Sequence, residues 1–326
     1  MKAILFDTPG DESVLHLGEA PSPEIGPNEL RIQVAATAVN RADLLQRQGF
    51  YPPPPGASEI LGLECAGEVL EVGGDVRGFE SGDRVMALLA GGGYAEEVAV
   101  HSGSVMAVPE GMSLEHAAAI PEVFLTVFLN VFQLASLPPG GTALVHGGGS
   151  GIGTAAIQLV KSAGGRVVVT AGTDPKCERC LELGADVAIN YRTGNFREEA
   201  LKATDGRGVD VVLDSIGAPY LEDNLSSLAT DGRLVLIGLM GGAKAEVGLG
   251  TILSRRLSVM GSTLRTRSVD QKASIVAGFL EQFGGALSRQ EIGPVVDRVL
   301  PLVEVSAAHR ILKASEHFGK IVLRVG

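Results

Sequence analysis

The stretch that decides the fold reads Val145-His146-Gly147-Gly148-Gly149-Ser150-Gly151-Ile152-Gly153. It follows an apolar run, Thr142 to His146, and opens an amphipathic stretch from Ile152 to Ala163. Glycines at a strand-to-helix turn let the backbone fold back tightly and approach a pyrophosphate, whose charge rests on the positive end of the helix dipole. Aligned as G-x-G-x-x-G from Gly148, the second glycine position holds Ser150, so the strict pattern is broken there. A purely structural tight turn is the plain alternative. The strand-turn-helix setting favours dinucleotide binding, with Ser150, Gly151, Ile152 and Gly153 cradling the pyrophosphate.

Working outward, the segment after Leu137-Pro138-Pro139-Gly140-Gly141 alternates strand-like and helical runs. The strand-like runs are Thr142 to His146, Arg166 to Thr170, Asp186 to Ile189, Val209 to Leu213, Arg233 to Ile237 and Leu257 to Met260. Six such runs separated by amphipathic patterns predict an α/β fold with a Rossmann-type doubly wound parallel sheet. Residues 1 to about 120 are different, with short apolar runs (Leu30 to Val39, Gly67 to Val72, Arg84 to Leu89, Val98 to Val100) punctuated by Gly and Pro. A helix is expected from Ser113, restarting at Pro121 and ending near Leu134. The tail carries a helix from Asp270 to Phe283, a strand near Val295 to Leu300, a helix around Val305 to Ala314 and a strand from Lys320 to Val325. Its composition places it with the first segment, making the β-rich domain discontinuous. The expected domains are 1–122 with 263–326, and 123–262.

The 326 residues, 45% of them hydrophobic, suffice to bury two cores. A net charge of −11 argues against a nucleic-acid surface, because that affinity rests on Lys and Arg neutralising phosphates. The apolar run Val123 to Ala135 is interrupted by Thr126, Asn130 and Gln133, so no membrane span is expected. No signal-peptide pattern precedes the first strand, and a reducing, cytoplasmic setting is the expectation. Cys65, Cys177 and Cys180 offer neither a disulfide framework nor four zinc ligands. The Cys177-x-x-Cys180 pair lies in a charged helical stretch, where a structural role outweighs a redox one.

An NAD site usually carries Asp or Glu at the end of the second strand, to accept from the ribose 2′-hydroxyl. Here that strand ends Val169-Thr170-Ala171-Gly172-Thr173, with no carboxylate to repel a 2′-phosphate. Gly172 and Thr173 offer donors and Lys176 a charge, so NADPH is the expected cofactor. Asp174 is the awkward residue, either solvent-facing or capping the next helix.

The chain resembles the zinc-free quinone oxidoreductases of the medium-chain dehydrogenase/reductase superfamily, of the zeta-crystallin and tumour-suppressor-inducible kind. The resemblance covers essentially the whole length. It rests on Ala38-Val39-Asn40-Arg41-Ala42-Asp43, Gln46-Arg47-Gln48-Gly49, Tyr51-Pro52, Gly62-Leu63-Glu64, Ala118-Ala119-Ile120-Pro121-Glu122, Thr154-Ala155-Ala156-Ile157-Gln158-Leu159, Leu236-Ile237-Gly238-Leu239-Met240-Gly241-Gly242 and Gly319-Lys320-Ile321-Val322-Leu323. It implies a GroES-like β-rich catalytic domain, a homodimer joined by edge strands near Leu257 to Thr263, and metal-free hydride transfer from NADPH to a quinone in the interdomain cleft. Zinc-dependent relatives carry Cys and His where this chain has Asn40 and Leu63, so no metal site is expected. By the same resemblance Asn40 and Tyr51 contact substrate and Thr126 approaches the nicotinamide. Tyr191 joins Gly172, Thr173 and Lys176 around the 2′-phosphate end, and Ser215, Ile216, Leu239, Met240 and Leu264 complete the cofactor contacts. Two other readings remain: an NADPH-dependent reductase of activated alkenes such as enones or enoyl thioesters, and a non-enzymatic, crystallin-like or binding role.

Overall fold

The glycine turn does join a strand to a helix in the computed structural model, which describes all 326 residues. Thr142–His146 is a strand with every residue buried, and Gly151–Ser162 is the helix that follows. The chain divides into two units, Met1–Leu125 with Leu264–Gly326, and Thr126–Thr263.

In the second unit six parallel strands lie in the spatial order Val187–Asn190, Arg166–Ala171, Thr142–His146, Val209–Asp214, Leu228–Leu236 and Ser258–Gly261. Counted along the chain this is third, second, first, fourth, fifth, sixth, the Rossmann order. Its direction of winding reverses between the first and fourth strands. Parallel strands covered by helices on both faces read as unbroken apolar runs, as Val167-Val168-Val169 does, each at most 1% exposed. Leu144, Val168, Ile189, Val212 and Leu234 pack with Phe196 and Leu225 of the covering helices into one core. Each such side chain contributes roughly 1.5–3 kcal/mol by leaving water.

The first unit carries a seven-stranded sheet in the order Val296–Pro301, Lys320–Arg324, Glu29–Ala38, Glu64–Val72, Arg84–Leu88, Val105–Ala107, with Glu97–His101 also paired to Glu29–Ala38. The C-terminal strand lies antiparallel to Glu29–Ala38, Val322 opposite Ala38. That pairing makes the β-rich unit discontinuous in sequence. A separate two-stranded ribbon joins Lys2–Leu5 to His16–Glu19.

Three elements differ from expectation. The helix expected to end at Phe283 runs Val269–Ser288, through Gly284 and Gly285, because Phe283 and Leu287 continue its buried face. The fifth strand starts five residues early, at Leu228, and absorbs the turn-like Asp231-Gly232 as an irregularity with Asp231 at φ 64°. The stretch 114–134 breaks into Leu114–Ala117, Pro121–Val127 and a π-helical turn, Phe128–Leu134. That stretch is long and apolar enough to cross a membrane by composition, yet most of it is buried inside the fold.

Candidate dinucleotide and substrate sites

The carboxyl ends of the six strands of the second unit all point their loops to one edge of the sheet, where doubly wound folds place ligands. Ser150 to Gly153 follow the first strand, Gly172 and Thr173 the second, Tyr191 the third, Ser215 and Ile216 the fourth, and Leu239 and Met240 the fifth. The topology therefore gathers the expected cofactor residues of this unit on one edge. Leu264 comes three residues after the sixth strand, is buried, and opens the return segment of the first unit. Thr126 is the first residue of the second unit and is 8% exposed; its carbonyl accepts from Asn130 Nδ2 at 2.7 Å.

The glycine turn is held from below. Gly147 and Gly148 donate their amides to the Thr170 carbonyl at 3.1 and 2.7 Å. Gly147 has φ 80°, a left-handed conformation costly for any other residue. A Cβ on Gly153 would lie 2.3 Å from the Gly147 oxygen and 2.4 Å from Gly148 Cα, so only glycine lets the helix start this close to the turn. Ser150 takes the broken glycine position as the helix N-cap, its Oγ accepting from the Gly153 amide at 3.0 Å. The first amides of a helix have no intrahelical acceptor, so with Gly153 satisfied, those of Gly151 and Ile152 remain to meet an anion. The turn thus fits a pyrophosphate.

A buried network beneath this edge was not foreseen. His146 Nε2 lies 2.7 Å from Asn224 Oδ1, Asn224 Nδ2 donates to Asp214 Oδ2 at 3.0 Å, and His146 Nδ1 lies 3.1 Å from Thr170 Oγ1. Asp214 Oδ1 accepts from the Ile216 amide at 2.6 Å, and Asp214 also takes the Gly217 amide. Because the Asn224 amide nitrogen faces Asp214, its oxygen must accept, which assigns the His146 proton to Nε2. Burial pushes His146 down to about 4 despite the Asn224 hydrogen bond, so it is neutral near pH 7. The network ties the glycine turn after the first strand to the Ser215-Ile216 loop after the fourth, across the reversal point. The only sequence signal was polar residues closing otherwise apolar strands.

At the far end of the edge, Thr173 rather than Asp174 caps the next helix, accepting from the Lys176 amide at 3.4 Å. Asp174 is engaged sideways by Asn190 Nδ2 at 2.7 Å. A Cβ on Gly172 would meet the Tyr191 hydroxyl at 2.8 Å, so these two residues are neighbours. Lys176 lies in the first turn of the Asp174–Glu182 helix. Donors and one cation thus surround the strand end, with the nearby carboxylate tied to an amide.

In the first unit Asn40 has a different job from the one expected. It caps the helix Arg41–Arg47 in a capping box with Asp43. Its Nδ2 donates to the Ala38 carbonyl at 3.2 Å and Glu64 Oε1 at 2.8 Å, and its Oδ1 accepts from Lys320 Nζ at 2.6 Å. Both amide hydrogens are spent, so Asn40 is a framework residue and not a free donor to substrate. Lys320 also donates to Glu64 Oε1 at 2.7 Å and the Val39 carbonyl at 3.2 Å, forming an ion pair whose side chains are 3% and 0% exposed. A divalent metal does not fit this donor set: Leu63 is apolar, Glu64 is claimed by an ammonium, and no three His, Cys, Asp or Glu side chains converge.

Tyr51 is half-buried and held by a residue that sequence reading missed. Arg265 donates to the Tyr51 carbonyl at 3.1 Å, the Ala90 carbonyl at 2.8 Å and Gln46 Oε1 at 2.7 Å, with its guanidinium 5.4 Å from the Tyr51 ring centre. Three carbonyl-type acceptors plus a ring face fix Arg265 and, through it, the Tyr51 loop. Burial and the nearby Glu122 raise the Tyr51 phenol above its ordinary value, with Arg265 opposing, so it stays a donor.

Comparison with known proteins agrees with this geometry. Residues 26–110 match the alcohol dehydrogenase GroES-like domain and residues 151–278 the zinc-binding dehydrogenase domain. The chain is 32% identical over 300 residues to quinone oxidoreductase-like protein 2 of Bos taurus, covering 92% of this chain and 86% of that one. It is also 32% identical over 313 residues to a highly reducing polyketide synthase of Emericella nidulans, spanning 93% of this chain but only 12% of the synthase. Among solved structures, an NAD-dependent alcohol dehydrogenase superposes with TM-score 0.88 at 33% identity over the full length of both chains. The CurK enoyl reductase superposes with TM-score 0.87 at 29% identity, covering 100% of this chain and 99% of that one. Escherichia coli quinone oxidoreductase complexed with NADPH superposes with TM-score 0.84 at 28% identity, covering 99% and 100%. The chain belongs to the medium-chain dehydrogenase/reductase superfamily, in its quinone oxidoreductase-like branch.

Proposed function

We propose that the protein is an NADPH-dependent, metal-free reductase whose acceptor is a quinone. The observation that carries the acceptor is the alignment with quinone oxidoreductase-like protein 2, which runs through most of both chains, whereas the synthase match is a small segment of a much longer protein. For the cofactor, support comes from the second strand's end: Gly172, Thr173, Lys176 and Tyr191 offer donors and a charge to a 2′-phosphate, and Asn190 turns the Asp174 carboxylate aside. The relative solved with NADPH agrees with this choice, and the likeness to an NAD-dependent alcohol dehydrogenase makes the cofactor a point to test.

When bound, NADPH supplies a hydride. The chain's own residues do the rest. The Gly151 and Ile152 amides hold the pyrophosphate, and Ser215, Ile216, Leu239 and Met240 line the same edge. Tyr51 donates a hydrogen bond to the acceptor oxygen where negative charge develops, and Arg265 keeps that phenol in place. A quinone needs no Lewis acid, because its two-electron reduction yields an aromatic hydroquinone anion.

A second reading, reduction of enones or enoyl thioesters, is favoured by the likeness to an enoyl reductase of similar TM-score. Initial rates with NADPH and a panel of quinones, an enone and a crotonyl thioester separate the two. The proposal expects quinones to give the higher kcat/KM by at least about tenfold; a thioester preferred by that margin replaces the acceptor and keeps the cofactor. The same reading includes a homodimer built on the edge strand Ser258–Gly261, whose Val259 is 42% exposed, since an uncovered edge is a pairing surface. A monomer mass by light scattering at assay concentration would remove that part.

A further inference from the structure

The buried network under the glycine turn runs in one direction, and hydride delivery makes no use of it. Starting at the turn, the Gly147 amide donates to Thr170 Oγ1 at 3.3 Å, beside its 3.1 Å bond to the Thr170 carbonyl. With the His146 proton on Nε2, the bare Nδ1 must accept, so the Thr170 hydroxyl donates to it across 3.1 Å. Nε2 donates to Asn224 Oδ1 at 2.7 Å, and Asn224 Nδ2 donates to Asp214 Oδ2 at 3.0 Å. Every link therefore points the same way, from an amide of the turn to the carboxyl group that ends the fourth strand. Thr170, His146, Asn224 and Asp214 are each at most 2% exposed, which shields these bonds from bulk water.

Asp214 extends the constraint. It receives the Ile216 and Gly217 amides at 2.6 and 3.1 Å. In the next loop Met240 and Gly241 donate their amides to the Ser215 and Ile216 carbonyls at 3.1 and 2.7 Å. Hydrogen bonds thus join the loops after the first, fourth and fifth strands to the end of the second, along one edge of the sheet. Phe196 and Tyr220 stand edge-on to the His146 ring, each with its centroid 4.8 Å away, and restrict its rotation.

A doubly wound sheet binds a dinucleotide as two mononucleotide halves, one on each side of the point where the strand order reverses. The glycine turn and the end of the second strand serve the adenosine half, and the loops after the fourth and fifth strands serve the nicotinamide half. From the course of the chain of bonds across that point we infer that His146 and Asn224 are positioning residues for the dinucleotide, holding its two half-sites at the spacing of one intact cofactor. They act through the loops and not by touching the ligand. With the loops tied, the second half of the ligand meets a site already in place, and binding need not order a free loop. This role requires NADPH to be the ligand, as read above, and is indifferent to which acceptor is reduced.

Calorimetry with two ligands tests it: intact NADPH, and adenosine 2′,5′-bisphosphate, which reaches only the adenosine half. His146→Phe keeps a ring between Phe196 and Tyr220 and removes the donor to Asn224. It should raise the Kd for NADPH about tenfold, within the usual range of a coupling between sites, and leave that for the bisphosphate within about twofold. His146→Gln, whose amide can still donate to Asn224, should recover most of the loss. A second measurement needs no variant to fold. In the wild type, saturating bisphosphate should slow hydrogen exchange at the Ile216 and Gly217 amides at least about fivefold more than at the core amide of Val212. Equal losses of both ligands in His146→Phe would mark a distorted glycine turn and overturn the inference. So would unchanged NADPH affinity in that variant, a loss in His146→Gln as large as in His146→Phe, or exchange at Ile216 and Gly217 that ignores the bisphosphate. A wild type that binds neither ligand would instead sink the cofactor reading.

Discussion

Replacing Lys320 by Met tests the buried framework on which the first unit's site is built. Lys320 Nζ donates all three of its hydrogens, to Val39 O, Asn40 Oδ1 and Glu64 Oε1, and both members of its ion pair are almost wholly enclosed. Met preserves the apolar stem and removes the charge. Glu64 then keeps only Asn40 Nδ2 at 2.8 Å and the Glu122 amide at 2.9 Å for a carboxylate that has lost its cation. Breaking a buried pair from one side costs about 3–5 kcal/mol, a large share of a net stability of about 5–15 kcal/mol. Replacing both partners by neutral groups of similar size is close to neutral in comparable systems. Urea unfolding of the wild type, Lys320→Met, Glu64→Gln and the double variant therefore gives a cycle with a coupling energy of about 2 kcal/mol or more. A Lys320→Met variant within about 1 kcal/mol of wild type, or a double variant that loses the sum of the two singles, would show that the ion pair is not coupled in this way.

Three further outcomes are expected. Gly153→Ala should weaken dinucleotide binding by at least about tenfold by calorimetry, since its Cβ would stand 2.3 Å from the Gly147 oxygen; Gly250→Ala, in open space on the helix Leu249–Arg255, should leave binding unchanged and gain about 0.5–1 kcal/mol of stability. Lys176→Ala should raise the Kd for NADPH about tenfold, the worth of one charged hydrogen bond, while leaving NADH within about twofold; equal losses for both would remove Lys176 from the 2′-phosphate site. His146 is held down at about 4 from an ordinary 6.5, so as pH falls through this window the unfolded chain binds its proton first. The stability difference between wild type and His146→Gln should be flat above pH 6.5 and shrink by about 1.4 kcal/mol per unit down to pH 4, and a pH-independent difference would contradict a neutral buried imidazole.

Much of the fold was legible because periodicity and glycine chemistry are local. The six alternating apolar runs, the glycine turn and the return of the C-terminal strand to the first sheet all follow from which residues must be buried and where the backbone must turn. Boundaries slipped where a local signal was overruled by packing: Asp231-Gly232 reads as a turn but lies within a strand, and Gly284-Gly285 reads as a stop but lies within a helix. The gathering of the expected cofactor residues on one edge was legible for the same reason, since loops after parallel strands must share one side of the sheet. Side-chain pairing was not. Lys320 meets Glu64 across 256 positions, Arg265 meets Gln46 across 219, and His146 meets Asn224 across 78. Nothing local marks such partners, and so Asn40 read as a substrate contact although both of its amide hydrogens are committed within the fold.

We propose that this fold delivers NADPH reducing power to a quinone without a metal. Chelator-treated protein, mixed with a quinone and either NADPH or NADH, tests it by the loss of reduced nicotinamide absorbance. Turnover should be undiminished after chelation, with NADPH at least about tenfold better than NADH in kcat/KM. Turnover abolished by the chelator and restored by zinc, or NADH preferred over NADPH, would contradict it.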